Sequence, residues 1–148
     1  MRSQRERMLS GEPYQANDPE LSASRRACQR LLEVFNTAQA DDERSKHVLH
    51  QLLGSLGEGS VILPRFQCDY GAHITIGANC FLNYDAILLD CAPISIGDNV
   101  WLAAGVIVGP GVTIGANSII GAGSVVISDI PAHVLAAGNP CRVIRGLP

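Results

Sequence analysis

The stretch ISIGDNVWLAAGVIVGPGVTIG, residues 94–115, places an aliphatic residue at every sixth position and a small residue directly after it. Ile96, Leu102, Val108, Ile114, Ile120 and Val126 share one phase, and all but Val126 are followed by Gly or Ala. A period of six matches neither the 3.6 of an amphipathic helix nor the two of a half-buried strand. It is the period of a parallel β-helix, in which each six-residue unit supplies one short strand and one turn. If three units complete a triangular coil, residues eighteen apart stack: Ile96 on Ile114, Leu102 on Ile120, Val108 on Val126.

A second inward track follows four residues after each aliphatic: Val100, Val106, Val112, Ser118 and Ser124. Upstream, Ile76, Leu82 and Leu88 keep the spacing, with Cys80 and Ala86 on the second track. Between Leu88 and Ile96 the spacing is eight, and the two extra residues around Asp90 are expected to bulge outward from the coil. Gly97, Asn99, Gly109, Gly115, Asn117 and Gly121 fall at corners, where tight or left-handed backbone suits those residue types. Nine units make about three coils. VILPRFQ, residues 61–67, starts another. The period alone does not set handedness.

Before Gly57 the composition is different, charged and helix-favouring. This divides the chain into an N-terminal helical segment, 1–57, and a repeat region with a C-terminal tail, 58–148. Asp18 is placed to cap a helix with Pro19 at its first position, and Leu21, Cys28, Leu31, Leu32 and Phe35 form its apolar stripe. Asp41 is placed to cap a second helix with Val48, Leu49, Leu52 and Leu53 inward, ending at Gly54 and Gly57. A short helix around Glu6–Leu9 precedes both. Such pieces are too small for a core of their own and must pack on the repeat region or on a neighbouring subunit.

A net charge of −3 over 148 residues, with no long basic run, argues against general affinity for nucleic acid or anionic membrane. Five cysteines without a CxxC pair disfavour a disulfide framework or structural zinc. The N-terminus lacks the apolar core of a secretory signal, and no apolar run reaches membrane-spanning length, so a cytoplasmic protein is expected.

Five segments go further: GEPYQANDPEL (11–21), PRFQCDYG (64–71), NYDAILLDCAPISIGDN (83–99), VIVGPGVTIGANSIIGAGSVVISDIP (106–131) and AAGNPCRVIR (136–145). Together they resemble the maltose, galactoside and nodulation-protein-L group of hexapeptide O-acetyltransferases, in order and over nearly the whole chain. The resemblance implies a left-handed parallel β-helix, homotrimers, and acetyl transfer from acetyl-CoA to a sugar hydroxyl in grooves between subunits, with no metal. In that family a segment with a Thr-x-x-His-Pro motif separates the coil opening from the later Asn-Val-Trp. Here Ile96-Gly97-Asp98-Asn99 runs straight into Val100-Trp101. The family's catalytic histidine belongs to what is absent.

A sugar hydroxyl is a poor nucleophile near neutral pH, and a positioned base typically contributes about 100 to 10,000-fold. His73, close in sequence to Asp69, is the candidate substitute; its other reading is a coil-edge histidine. His47 and His50 read as solvated helix residues. His133 follows DIPA and is a lesser candidate for cofactor contact. No three histidines are spaced for zinc. By resemblance, Asp69, Asn83 and Asp90 line the acceptor pocket, with corner or loop roles as the alternative. Ala104, Ala122 and Gly123 match positions along which pantetheine lies, and Arg142 and Arg145 match basic positions near the CoA phosphates. Ser128 stands where relatives often carry Lys. Trp101 reads as a border of the CoA groove or as an aromatic on a subunit interface, and the cysteines read as small fillers. Two functional readings follow: an acetyl-CoA-dependent O-acetyltransferase lacking the usual base, or a non-catalytic trimeric relative that binds CoA or a sugar or serves as an assembly partner.

Overall fold

The structure, a computed structural model, describes residues 1–39 and 42–148. Three helices come first: α1 (Gln4–Leu9), α2 (Pro19–Thr37) and α3 (Glu43–Leu52). Ser3 caps α1 through a reciprocal box with Glu6. The Asp18 carboxylate accepts from the amides of Glu20 and Leu21 and starts α2 with Pro19 in its first turn, as expected. The cap of α3 is Asp42, which accepts from the amide of Arg44; Asp41 lies outside the described residues.

The chain then winds through about four turns of a parallel β-helix. Turn one contains β1 (Ser55–Leu56), β2 (Val61–Ile62) and β3 (Phe66–Cys68); turn two contains β4 (Ile74–Ile76), β5 (Phe81–Leu82) and β6 (Ala86–Leu88). Turn three contains β7 (Ile94–Ile96), β8 (Trp101–Leu102) and β9 (Ile107–Val108); turn four contains β10 (Thr113–Ile114), β11 (Ile119–Ile120) and β12 (Val125–Val126). A hairpin of β13 (Val134–Gly138) and β14 (Cys141–Gly146) follows, with β13 parallel to β11. The first face is β1-β4-β7-β10, the second β2-β5-β8-β11-β13-β14, and the third β3-β6-β9-β12. Strand β1 already pairs with β4, so the solenoid starts ahead of the composition change at Gly57.

The expected eighteen-residue stacking holds in the upper turns, where Ile96 pairs with Ile114, Leu102 with Ile120 and Val108 with Val126. Lower down the stacking interval is twenty: Ile76 on Ile96, Leu82 on Leu102, Cys68 on Leu88. The two additional residues sit at the corner between the third and first faces, because Cys68 to Ile76 repeats the eight-residue spacing of Leu88 to Ile96. The inward positions are buried along the axis, with Leu82, Leu88, Leu102, Val108, Ile114, Ile120 and Val126 all fully enclosed. Each such aliphatic contributes on the order of 1.5–3 kcal/mol relative to exposure. The buried hydroxyls of the second track are satisfied: Ser118 donates to Pro131 O and accepts from the Val134 amide, and Ser124 donates to Gly121 O and accepts from the Gly138 amide.

Helices α2 and α3 share one apolar core with the solenoid through Cys28, Leu32, Phe35, Val48, Leu49, Leu52 and Leu53. Asn36 pins the contact, its amide donating to Phe66 O while its oxygen accepts from the Phe66 amide. Among the described residues no helix is long and apolar enough to cross a membrane.

Candidate functional site

The widened corner between the third and first faces carries most of the polar chemistry. Asp90 was expected to bulge outward toward an acceptor; instead its side chain turns in and is wholly buried. One carboxylate oxygen accepts from the amides of Asp69 (3.0 Å) and Tyr70 (2.9 Å), and the other accepts from the amide of His73 (3.3 Å). The corner of turn two therefore ties down that of turn one. A carboxylate is suited to this, because it offers several lone pairs to amides that a strand ladder cannot reach at a wide corner. Asp90 is thus a positioning residue within the corner, and its carboxylate is not presented to solvent.

Asp69 remains half-exposed on the outer side of the same corner. The Cys91 thiol donates to its Oδ2 at 3.3 Å, and Tyr14 packs with Cys91 against the small cluster of Met8, Leu21 and Tyr70. Arg25 reaches the Tyr70 hydroxyl at 2.7 Å and Ala16 O at 2.6 Å, so α2 and the loop before it close over the cluster. Sequence reasoning missed Tyr14, Tyr70, Arg25 and the role of Cys91. The adjacency of Cys91 to Asp90 in the eight-residue unit was the available signal.

Burial pushes the Asp69 carboxyl above its ordinary value, with the Cys91 hydrogen bond opposing the shift. Between the ordinary carboxylate value and this raised one, the native state holds more protons than the unfolded chain, so stability falls as pH rises through that window. Asp69→Asn carries no charge at any pH. Its melting temperature relative to the parent is expected to shift upward by about 1–3 °C on going from pH 3 to pH 7, small because a half-exposed group is screened. Thermal scans at the two pH values check it, and a downward shift would contradict the assignment.

His73 lies beside this corner with both ring nitrogens engaged. Nδ1 is 2.8 Å from Asp90 O, and Nε2 is 3.1 Å from Arg5 Nη1. A guanidinium only donates, so Nε2 accepts and Nδ1 carries the proton. The lone pair that a general base would use is covered by Arg5. The expected Asp69–His73 pairing does not form: Nδ1 is bonded to the Asp90 backbone carbonyl, with the Asp90 carboxylate 3.8 Å away, and it is Arg5 that ties α1 to the ring. His47, His50 and His133 are exposed. Among the described residues no group of three or more His, Cys, Asp or Glu side chains gathers as a metal site.

The corner between the second and third faces collects the other candidates. Asn83 follows β5, Ala104 follows β8, and Ala122 and Gly123 follow β11, so they stack along one edge. The Gly123 amide donates to Ala104 O at 2.9 Å and the Gly105 amide to Tyr84 O at 2.8 Å. Gly105 and Gly123 take positive φ (71° and 72°), and a side chain at Gly123 would meet nothing within 4 Å, which leaves an open shelf of small residues. Arg142 pairs with Ala137 at the top of this edge, while Arg145 lies further along β14 opposite Leu135; both are exposed. Within one protomer, Asn83 is therefore separated from Asp69 by the whole third face.

The faces differ in what they show to the outside. The first presents Ser55, Thr75, Ser95 and Thr113. The second presents a register-matched stripe of Val61, Phe81, Trp101, Ile119 and Leu135, with Trp101 48 % exposed. The third presents Gln67, Ile87, Ile107 and Val125.

Comparison with known proteins places this geometry. The maltose acetyltransferase hexapeptide capping motif matches residues 7–57, the bacterial transferase hexapeptide 93–128, and the hexapeptide repeat of succinyl-transferase 73–110. Nodulation protein L of Rhizobium leguminosarum bv. viciae is 39 % identical over 182 aligned positions, covering 98 % of this chain and 96 % of its own. That alignment is longer than the 148 residues here, so the relative carries an internal stretch without counterpart. A hexapeptide-repeat acetyltransferase of Vibrio cholerae, crystallised with acetyl coenzyme A, superimposes with a TM-score of 0.79 at 31 % identity, covering 99 % of this chain and 100 % of that one. A maltose O-acetyltransferase of Clostridium difficile gives 0.74 at 35 % identity, covering 99 % and 98 %. The chain belongs to the hexapeptide-repeat acetyltransferases, in the group that includes maltose O-acetyltransferase and nodulation protein L.

Proposed function

We propose that this protein transfers an acetyl group from acetyl-CoA to a hydroxyl of a sugar or related acceptor, in the cytoplasm, without the family's usual histidine base. The observation that carries the reading is the likeness, along nearly the full chain, to an acetyltransferase crystallised with acetyl coenzyme A. The shelf of Ala104, Ala122 and Gly123 suits a narrow pantetheine chain, and Arg142 with Arg145 supplies guanidinium groups for phosphates. Asp69 is the half-exposed carboxylate that can accept from an acceptor hydroxyl, with Asp90 holding its backbone in place and Asn83 adding an amide. In the transfer, the hydroxyl oxygen bonds to the thioester carbonyl carbon, the carbon–sulfur bond breaks, and the hydroxyl proton leaves to solvent as CoA departs.

The site is completed by a homotrimer. Apolar stripes on two faces and a hydroxyl-lined third are the pattern expected when two faces meet neighbours and one meets water. Such an arrangement lets Asn83 of one protomer approach the Asp69 corner of the next.

Orientation alone leaves part of the rate, because juxtaposing the reactants contributes separately from proton removal. Turnover is expected to run about 100 to 10,000-fold below that of relatives that carry the base. Release of free CoA from acetyl-CoA over a panel of sugars measures it. His73→Ala is expected to leave that rate within about two-fold, since Arg5 already covers Nε2; a larger loss would reinstate His73 as base. No release above background, with acetyl-CoA binding retained, would sink the enzyme and favour the second reading, a non-catalytic trimeric binding protein. That alternative draws on the covered Nε2 of His73 and the internal stretch present in nodulation protein L but not here.

A further inference from the structure

Two thiols meet where the helical segment docks on the solenoid. Cys28, on the inner stripe of α2, and Cys68, at the end of β3, are 2 % and 5 % exposed, and their sulfurs lie 3.5 Å apart. They are forty residues apart in the chain, and neither has a role in the transfer proposed above. Cys28 Sγ also lies 3.7 Å from Cys68 O, so the thiol is aimed at the end of β3 rather than placed beside it by chance of rotamer. The Asn36–Phe66 pair, two helical turns on, fixes the register of helix against strand. Cys80 is buried in the solenoid and Cys141 in the C-terminal hairpin, and Cys91 is engaged with Asp69.

We propose that Cys28 and Cys68 form a reversible redox latch, closing to a disulfide that staples α2 to β3 when the protein meets a small-molecule disulfide oxidant. The chemistry balances in two exchanges. The Cys28 thiolate attacks one sulfur of the oxidant, which leaves as one thiolate and creates a mixed disulfide; the Cys68 sulfur then attacks Cys28 Sγ, expelling the second thiolate. Two thiol S–H bonds are lost, one S–S bond forms, and the two electrons and two protons end on the pair of released small thiols.

A hydrogen bond from the Cys68 thiol to Cys28, and burial after it, raise Cys68 well above the ordinary range, so while α2 is docked Cys68 stays protonated and both sulfurs are shut away from an oxidant. The first exchange therefore requires α2 to lift, which exposes Cys28 while Cys68 stays in the solenoid. Redocking of the helix leaves no room for a bulky mixed disulfide and drives its expulsion. Once closed, the bond encloses α3, β1 and β2 in one covalent loop and holds α2 over the corner that begins at Asp69.

The test treats the full chain with oxidised glutathione under native conditions. Closure predicts an intact mass lower by about 2 Da and a peptide joining Cys28 to Cys68. It also predicts a melting temperature higher by about 5–10 °C, the scale for cross-linking a forty-residue loop. Dithiothreitol should reverse all three changes, and Cys28→Ala and Cys68→Ala should each abolish them. If those variants fail to fold, peptide mapping of the unmodified protein still decides. A stable glutathione adduct without closure, a linkage through Cys80, Cys91 or Cys141, or full alkylation of Cys28 and Cys68 in denaturant after oxidation would each overturn the latch.

Discussion

Asp90→Ala is expected to lower stability by at least about 3 kcal/mol, because three backbone amides would lose their acceptor inside a closed corner at roughly 1–3 kcal/mol each. For a chain of this size that corresponds to a fall in melting temperature on the order of 10 °C. Asp90→Asn separates the parts of the effect. Its remaining oxygen can keep the Asp69 and Tyr70 amides, while its NH2 would face the His73 amide donor to donor, so an intermediate loss is expected. Differential scanning calorimetry of the three proteins checks the order. Parent-like stability in Asp90→Ala, accompanied by a loss confined to acceptor KM, would return Asp90 to the substrate-contacting role that the family resemblance implies.

This residue marks where reading the sequence stops. Stacking of Ile96 on Ile114 and Leu102 on Ile120 was legible because the repeat itself carries the geometry: an inward aliphatic every six residues determines which positions meet one turn later. The edge shared by Asn83, Ala104 and Ala122 follows from the same stacking, Asn83 lying one residue after Leu82 and Ala104 and Ala122 two residues after Leu102 and Ile120, each just past a strand of the second face. The direction of Asp90 has no such local signal. Its partners lie 17 to 21 residues earlier, across a corner whose width was visible at Leu88–Ile96 but passed unnoticed at Cys68–Ile76. His73 is a sharper case. Its proximity to Asp69 in sequence suggested a base, whereas the Arg5 that covers Nε2 is 68 residues away and arrives only through the docking of α1. The Tyr14–Cys91–Asp69 contacts depend likewise on where the N-terminal segment settles, and no periodic rule governs that.

Trp101→Glu is expected to dissolve the assembly, and with it the turnover. Trp101 sits at the middle of the second-face stripe, between Phe81 below and Ile119 above, with strand spacing near 4.8 Å making the stripe continuous. Its outward ring contributes nothing to the solenoid interior, where the inward partner Leu102 does the packing. A carboxylate there is tolerated in water but would be desolvated without a counter-charge if a second copy covers the stripe, at a cost of several kcal/mol per interface. Light scattering at micromolar concentration should therefore show a trimer for the parent and a monomer for the variant, while the far-ultraviolet circular dichroism of the coils is kept. CoA release should drop to background in the same step, because separated protomers no longer bring the Asn83 edge to the Asp69 corner. Ile107→Glu, on the third face, supplies an independent variant with the same expected outcome. If either protein remains trimeric, these stripes are not the interface; if Trp101→Glu is monomeric and still turns over at the parent rate, the acceptor site is complete within one chain.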